Sequence, residues 1–322
     1  EQDHKAAARA STAAAATVPA TPAATEPVPA LVATPAAEPT PVPEPEPEPL
    51  AIVNDFNVAE AMDHVRALCD IGVRKGGSAG EKKAAEYIAA QLKAMGYDAD
   101  IRAFPLPNGT TSRNVVASLP GTTDRTFVLG AHYDTKSPSP GANDNGTGTA
   151  ALLAIARELK DEKLAPTVEF VFFGTEEMID SNSDHHHYGS RKYVAMMTSD
   201  ERARCAGMIS VDMIGYGPEF VVRTMGTGPQ TLKDRLLAAA KAKSLGLFYK
   251  KDTSAVGWSD HEPFERAGIP AAWIEWRDDP YYHKTTDTPA HVVKAKVAVA
   301  GGLVLDYVRS LDEDDLAALR AR

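Results

Sequence analysis

Short apolar runs of strand length alternate with segments of helical periodicity through most of the chain after residue 57. Most of these runs are nearly continuous in Val, Ile, Phe and Ala, as in strands that are buried on both faces of a sheet. Such strands need a layer of helices on each side, and helical crossovers make neighbouring strands parallel. The sequence therefore predicts an α/β fold: a single three-layer domain with a mixed, mostly parallel central sheet flanked by helices.

The boundaries of the predicted elements follow from the spacing of the apolar residues. Strands are predicted over residues 98–104, 113–119, 126–131, 168–173, 206–211, 219–224 and 271–276. Helices are predicted over residues 57–70, 81–95, 147–160, 189–198, 230–243 and 289–311. The first strands follow one another closely, which predicts an antiparallel edge. Thr288 and Pro289 form a typical N-cap and first-turn pair, so we expect the last helix to begin there.

Residues 1–50 have a composition unlike that of the rest of the chain. Ala and Pro dominate this segment, which ends in a run where Pro alternates with Glu and Val. Alternating Pro removes backbone donors and favours polyproline II, and few large apolar side chains are present to offset the entropy of ordering. We therefore expect a disordered spacer over residues 1–50 and one folded domain over residues 51–322.

Bulk properties limit the partners and the location of the protein. The formal net charge is −10 and no long block of Lys or Arg is present, which argues against nucleic-acid binding. No apolar run approaches the roughly 18–20 residues that a membrane-spanning helix needs. The chain starts at Glu1, and an Ala/Pro spacer behind a removed signal is typical of exported enzymes. We expect a periplasmic, cell-envelope or secreted protein, tethered upstream of the spacer or free; an intracellular linker is the alternative interpretation.

The two cysteines, Cys69 and Cys205, form no CxxC motif. Two buried thiols are the favoured interpretation, and a single disulfide is the alternative. A nucleophilic role is not expected, because Cys205 opens a predicted strand and Cys69 lies in a predicted helix.

Six side chains that bind metals or move protons are spread along the chain, and most of them follow a predicted strand. They are His132, Asp144, Glu176, Glu177, Asp212 and His283. Ligand sites in open α/β sheets form outside the carboxyl ends of the strands, so we expect these side chains to meet at one edge of the sheet. Two imidazoles and several carboxylates suit zinc, and the combination predicts metal-assisted hydrolysis.

The spacing of these residues also suits two metal ions. Asp144 lies in a Gly- and Asn-rich loop, where a short carboxylate can bridge two cations. If Asp144 bridges, His132 and Asp212 can complete one site. Glu177 and His283 can then complete the other. Adjacent side chains diverge, so Glu176 is expected to act as the general base rather than as a ligand.

Two further residues are candidates for supporting roles. Asp134, two residues after His132, can accept a hydrogen bond from the imidazole and fix its orientation; the alternative is an aspartate that caps the loop. Tyr282 can donate its hydroxyl to an oxyanion, or it can simply pack beside His283.

The motifs GAHYDT, GANDNGTG, FFGTEE, GSRKYV, SVDMIG, SDHEPFERAGIPA and YHKTTDT resemble those of the M28-type dizinc aminopeptidases, from about residue 60 to residue 310. The resemblance implies a zinc peptidase catalytic domain with two Zn²⁺ ions. It also implies a peptide substrate with a free N-terminus, from which one residue is removed. The implied roles are those given above for the five ligands and for Glu176, with Asp134 supporting His132.

One departure from the family pattern favours a second candidate. Family members often pass directly from the Glu-Glu pair into Gly-Leu-x-Gly-Ser, whereas here residues 178–187 intervene before Tyr188-Gly189-Ser190. This connection resembles that of glutaminyl cyclases, which use a single zinc to form N-terminal pyroglutamate. A third candidate is a catalytically inactive binding protein. The preferred substrate side chain stays open, with Trp258, Phe264, Trp273 and the 178–187 connection as candidates for the pocket.

The 178–187 connection contains three consecutive histidines, His185, His186 and His187. Consecutive side chains point in different directions, so the three cannot all bind one ion. We expect a polar, solvated loop at the mouth of the cleft.

Overall fold

The computed structural model describes residues 56–320, apart from residues 183, 254 and 255. The predicted spacer of residues 1–50 lies outside the described residues, as do residues 51–55 and 321–322 of the predicted domain. In chain order the elements are α1 (Val58–Asp70), α2 (Ala79–Ala94), β1 (Asp100–Pro105), β2 (Thr111–Leu119), β3 (Thr126–His132), α3 (Gly148–Leu159), β4 (Thr167–Phe173), α4 (Tyr188–Met196), α5 (Ser199–Arg204), β5 (Cys205–Val211), β6 (Glu219–Thr224), α6 (Thr231–Ala242), β7 (Phe248–Lys251), α7 (His261–Arg266), β8 (Ala271–Arg277), α8 (Lys294–Ser310) and α9 (Glu313–Arg320).

The described strands form one sheet in the order β1-β2-β4-β3-β5-β8-β6-β7. The four central strands, β4, β3, β5 and β8, are parallel to one another, so their carboxyl ends lie along one edge. Strands β1 and β2 pair antiparallel, as do β2 and β4. The predicted α/β class and the antiparallel edge are therefore confirmed.

The central strands are buried on both faces, which explains their nearly continuous apolar sequences. In β4, Phe170 and Phe172 belong to the larger core, which also contains buried residues of α1, α2, α3 and α8. Val171 and Phe173 point to the other face and belong to a smaller core with residues of α4 and α7. Because strand side chains alternate with a period of two, a single strand holds both helical layers to the sheet.

The predicted start of the last helix is wrong. Pro289–His291 forms a separate 3₁₀ turn, and α8 begins only at Lys294. Between them Val292 and Val293 are extended, and the Val293 N–H donates to the Gly215 carbonyl at 2.9 Å. This tertiary hydrogen bond overrides the local helix signal. The helix α9 then follows α8, beyond residue 311, where the last helix was predicted to end.

Both cysteines are free thiols, as in the favoured interpretation and not the disulfide, but only one of the two is buried as expected. Cys205 is buried and Cys69 is half-buried. Burial raises the pKa of the Cys69 thiol to about 11, so this side chain stays protonated near neutral pH. Within the described ranges, no helix combines the length and the apolar character needed to span a membrane.

Gly130 lies in β3, two residues before His132, where neighbouring side chains pack closely against the backbone. A Cβ atom at this position would lie 2.5 Å from the ring of Phe173 and 2.7 Å from Cε of Met208. Both neighbours belong to the smaller core, where the Phe173 ring is enclosed by other aromatic rings. The close packing of this face therefore leaves no room for a methyl group.

We predict that Gly130→Ala lowers the free energy of unfolding by about 1–3 kcal/mol, the usual cost of overpacking a core. Gly246→Ala is the matched control, because no heavy atom lies within 4 Å of its added Cβ. The control should change the stability by no more than about 0.5 kcal/mol. Urea denaturation of both variants measures the difference, and equal stabilities would show that the packing on this face is loose.

Candidate active site

The predicted site residues meet at the carboxyl edge of the central strands. His132 is the last residue of β3, Asp212 directly follows β5, and Glu176 and Glu177 follow β4 by three and four residues. His283 reaches the same place from the segment after β8. These residues and Asp144 line one cavity of about 430 Å³. Parallel strands end at one edge, so residues far apart in sequence share this cavity.

Asp144 lies between the two imidazoles, with one carboxylate oxygen directed to each. Its Oδ1 is 3.3 Å from Nε2 of His132, and its Oδ2 is 3.2 Å from Nε2 of His283. The side chain is buried at 4 % exposure. This arrangement is the one that a carboxylate bridging two cations requires.

The candidate ligand atoms fall into two groups on either side of Asp144. His132, Glu176 and Asp212 form one group, and Asp144, Glu177 and His283 form the other; within each group the ligand atoms lie within 4.8 Å of one another. His132 Nε2 is 3.5 Å from Asp212 Oδ1, and His283 Nε2 is 2.8 Å from Glu177 Oε1. The side chains thus offer two neighbouring groups of candidate metal ligands.

Several of these ligand atoms are buried without a hydrogen-bond partner among the described residues. They are Glu177 Oε1, Asp212 Oδ1 and His283 Nε2. Leaving a buried polar atom unpaired costs about 1–3 kcal/mol, and more for a charged group. Buried atoms that face one another without hydrogen-bond geometry are suited to surround a cation. The residues of this site therefore fit a bound metal ion.

The pKa shifts of the site residues also indicate that the buried carboxylates need positive charge beside them. Burial, followed by the neighbouring Asp144 carboxylate, raises the pKa of Glu177 to about 8. Burial alone would lower the pKa of His283, but Asp144 and Glu177 raise it to about 10. Carboxylates buried this closely need protons or metal ions to offset their mutual repulsion.

Asp134 organises the turn that carries the glutamate pair. Its Oδ1 accepts the Glu176 N–H at 2.9 Å, and its Oδ2 accepts the Glu177 N–H at 3.3 Å. His132 Nδ1 is 3.4 Å from Asp134 Oδ1, but the contact lacks hydrogen-bond geometry. Asp134 thus caps this turn through two hydrogen bonds, whereas its contact with His132 is longer and is not a hydrogen bond.

The loop of Asp144 is held by side chains that the sequence analysis did not single out. The buried guanidinium of Arg74 donates to the carbonyls of Tyr133 at 2.7 Å and Gly141 at 3.0 Å, and so joins the residue after β3 to the Asp144 loop. Asp287 accepts the backbone N–H of Asp144 at 3.1 Å. The quoted motif YHKTTDT contains Asp287, so part of this support was visible in the sequence, whereas no local pattern marks Arg74.

The expected solvated histidine loop is wrong for two of its three members. His186 and His187 are only 4 % and 2 % exposed, and only His185 is partly open to solvent. His187 Nε2 lies 2.8 Å from Glu176 Oε1, and its Nδ1 lies 2.7 Å from Glu262 Oε2. A residue predicted to lie at the mouth of the cleft therefore contacts the candidate base.

His186, His187 and Glu262 are also close enough to form a third group of candidate ligands. A guanidinium already occupies this place, because Arg191 Nη2 donates to His186 Nε2 at 2.9 Å and lies 3.5 Å from Glu262 Oε2. Burial and the charges of His187 and Arg191 lower the pKa of His186 to about 4, so this ring is neutral. The cluster is thus balanced by side chains alone.

Aromatic residues form the outer wall of the cavity. Trp258 and Tyr282 are about half exposed, at 50 % and 48 %, and Trp273 also lines the cavity. The Tyr282 ring stacks on His283, with ring centroids 3.6 Å apart. Phe264 is fully buried in the smaller core, so its predicted place in the pocket is wrong.

Comparison with known proteins places this site in a known context. The family model described as "Peptidase family M28" matches residues 114–308. The chain is 32% identical over 230 residues to leupeptin-inactivating enzyme 1 of Streptomyces exfoliatus, covering 68% of this chain and 49% of the relative. It is 35% identical over 185 residues to aminopeptidase YwaD of Bacillus subtilis (strain 168), covering 54% and 38%. The chain thus spans about half, or less, of the length of these curated relatives.

Solved structures share the fold. BSAP, a zinc aminopeptidase from Bacillus subtilis, superposes with a TM-score of 0.71 at 21% identity, covering 79% of this chain and 94% of that one. A glutaminyl cyclase from Fimbriiglobus ruber superposes with a TM-score of 0.70 at 22% identity, covering 80% and 97%. The fold alone is thus shared by both enzyme classes, whereas the family model covers more than half of this sequence. The chain belongs to peptidase family M28.

Proposed function

We propose that this protein is a zinc-dependent aminopeptidase that removes the N-terminal residue from peptides with a free α-amine. The observation that carries the proposal is the position of Asp144, with one oxygen toward each of two imidazoles. Membership of a peptidase family and a relative named as an aminopeptidase support it. Two Zn²⁺ ions are part of the proposal: His132 and Asp212 would hold one, Glu177 and His283 the other, and Asp144 both.

The metal ions would supply a water molecule of lowered pKa and a positive site for the oxyanion of the attacked carbonyl. Glu176 would take the proton of that water and deliver it to the departing amine. Burial alone would raise the pKa of Glu176, but His187 and His132 outweigh it and lower the pKa. The side chain is therefore ionised, as a general base must be at the start of the reaction.

Tyr282 is the proposed hydroxyl donor to the oxyanion. Burial, followed by the carboxylates of Asp144 and Glu177, raises the pKa of Tyr282, so its hydroxyl keeps its proton. Its stacking on His283 holds the ring beside the proposed metal centre. A half-exposed position lets the hydroxyl meet a substrate that enters from solvent.

Two further parts of the proposal concern location. The Ala/Pro composition of residues 1–50 supports export to the periplasm, the cell envelope or the medium. The same segment would act as a spacer if the protein is tethered upstream. Fractionation of the producing cells, with detection of the chain in each fraction, distinguishes these locations.

A substrate panel combined with metal analysis tests the activity. We expect two zinc ions per chain and release of the first residue from leucine p-nitroanilide, with no cleavage of its N-acetylated form. Glutaminyl cyclase is the second candidate because residues 178–187 resemble the corresponding connection in those enzymes. One zinc ion with pyroglutamate formation from Gln-peptides would favour the cyclase, and a zinc-loaded protein without either activity would favour a binding role.

We predict that Glu176→Gln keeps both zinc ions but lowers kcat by about 10²–10⁴-fold, because the amide cannot accept the proton. Glu86→Gln is the control, since Glu86 lies on the exposed face of α2 and pairs only loosely with Lys82, at 3.6 Å. The two readouts are the steady-state rate of leucine p-nitroanilide hydrolysis and the zinc content measured by mass spectrometry. A Glu176→Gln variant as fast as the Glu86→Gln control would show that the base is assigned wrongly.

A further inference from the structure

The ring of His187 is held between two carboxylates, one of which is the proposed general base. Nε2 is 2.8 Å from Glu176 Oε1, and Nδ1 is 2.7 Å from Glu262 Oε2. Nδ1 makes a hydrogen bond to Glu262, and Nε2 lies within ion-pair distance of Glu176, so each ring nitrogen faces a carboxylate that can only accept. Charge-assisted hydrogen bonds of this kind are about twice as strong as neutral ones. His187 therefore restrains Glu176 through a close, buried contact between opposite charges.

The backbone holds the same pair of residues together. The His187 N–H donates to the Glu176 carbonyl at 2.7 Å, and the Tyr188 N–H donates to the Thr175 carbonyl at 2.9 Å. His187 has a φ of 52°, in the left-handed region that costs a non-glycine residue roughly 1–2 kcal/mol. These two hydrogen bonds maintain that conformation and direct the ring at the Glu176 carboxylate.

Glu262 anchors the far side of the ring. Its Oε1 accepts from Nε of Arg266 at 2.7 Å, and Nη2 of Arg191 lies 3.5 Å from its Oε2. Glu262 lies in α7, and Phe264 in the same helix is fully buried in the smaller core. Glu176 is thus connected through one buried imidazole to a side chain that is fixed by the fold.

The contact uses one oxygen of Glu176 and leaves the other directed to the reaction site. While Oε1 faces His187, Oε2 lies 4.0 Å from His132 Nε2. The Glu176 carboxylate is close enough to His132 and Asp212 to count with them as a candidate ligand. Without the contact to His187, the carboxylate would be free to rotate toward that group and coordinate a metal ion instead of accepting a proton.

We propose that His187 is a positioning residue for the general base: its Nε2–H holds Oε1 of Glu176, so that Oε2 stays available for proton transfer and the carboxylate stays out of metal coordination. This role rests on the proposed aminopeptidase function. It also assigns a role to the 178–187 connection, which departs from the family pattern. In the usual Gly-Leu-x-Gly-Ser segment, the residue two positions before Gly-Ser is Leu; here it is His187.

Three substitutions at this position separate positioning from simple packing. His187→Leu removes both donors and restores the usual family residue. His187→Gln places an amide N–H near the position of Nε2, whereas His187→Asn places one near the position of Nδ1, toward Glu262. His185→Leu is the control, because His185 is partly exposed and contacts Asp180 at the surface.

We expect His187→Leu to lower kcat on leucine p-nitroanilide by about 10–100-fold, the usual effect of losing an outer hydrogen-bond partner. KM should stay within a factor of about three, and zinc content should be unchanged, as for the His185→Leu control. His187→Gln should recover most of the lost kcat, and His187→Asn should not. Thermal denaturation of each variant confirms that the compared proteins are folded.

A second readout does not depend on activity. In metal-free protein labelled with ¹⁵N-histidine, we expect two slowly exchanging ring N–H signals from His187, and only the Nε2–H signal should move strongly in Glu176→Gln. Absence of an Nε2–H signal, or equal kcat for wild type and His187→Leu, would overturn the positioning role. Equal activity of the Gln and Asn variants would also overturn it. A wild-type protein that cleaves nothing in the panel overturns the proposed function and this role together, so the two failures are distinguishable.

Discussion

The burial of several carboxylates in one cavity is the constraint on which the rest of the structure depends. Asp144, Glu176, Glu177 and Asp212 are each at most 8 % exposed. Carboxylates can be buried together only if cations or hydrogen-bond donors balance them. His132 and His283 face Asp144, and His187 faces Glu176, so each imidazole meets one of these groups. The unpaired ligand atoms that remain mark the places where metal ions fit best.

Much of the fold could be predicted from the sequence, because the signals were local and strong. The central strands are apolar on both faces, and this pattern identified β3, β4, β5 and β8 within one or two residues. Their parallel order then brings His132, Glu177 and Asp212 to one edge without further information. The Asp144 loop was recognisable from its Gly- and Asn-rich sequence, although not the direction of its two carboxylate oxygens.

The remaining features depend on contacts between distant segments, which no local pattern shows. Arg74 joins the segment after β3 to the Asp144 loop through two backbone carbonyls, and a single arginine in a turn carries no sign of this. The start of α8 was misplaced because the Val293 N–H bonds to Gly215 instead of continuing a helix. The composition of the His185–His187 segment is typical of a solvated loop. His187 is nevertheless buried, and its Nδ1 is hydrogen-bonded to Glu262 in α7.

We propose that Asp144 is the shared ligand of two neighbouring metal ions and that His187 holds Glu176 away from them. Anomalous diffraction at the zinc edge, from crystals of the zinc-loaded protein, tests this claim most directly. We expect two peaks about 3.5–4 Å apart, one next to each oxygen of Asp144, as in two-metal hydrolases. A single peak, or a second peak at the His186–His187–Glu262 cluster, would contradict the account.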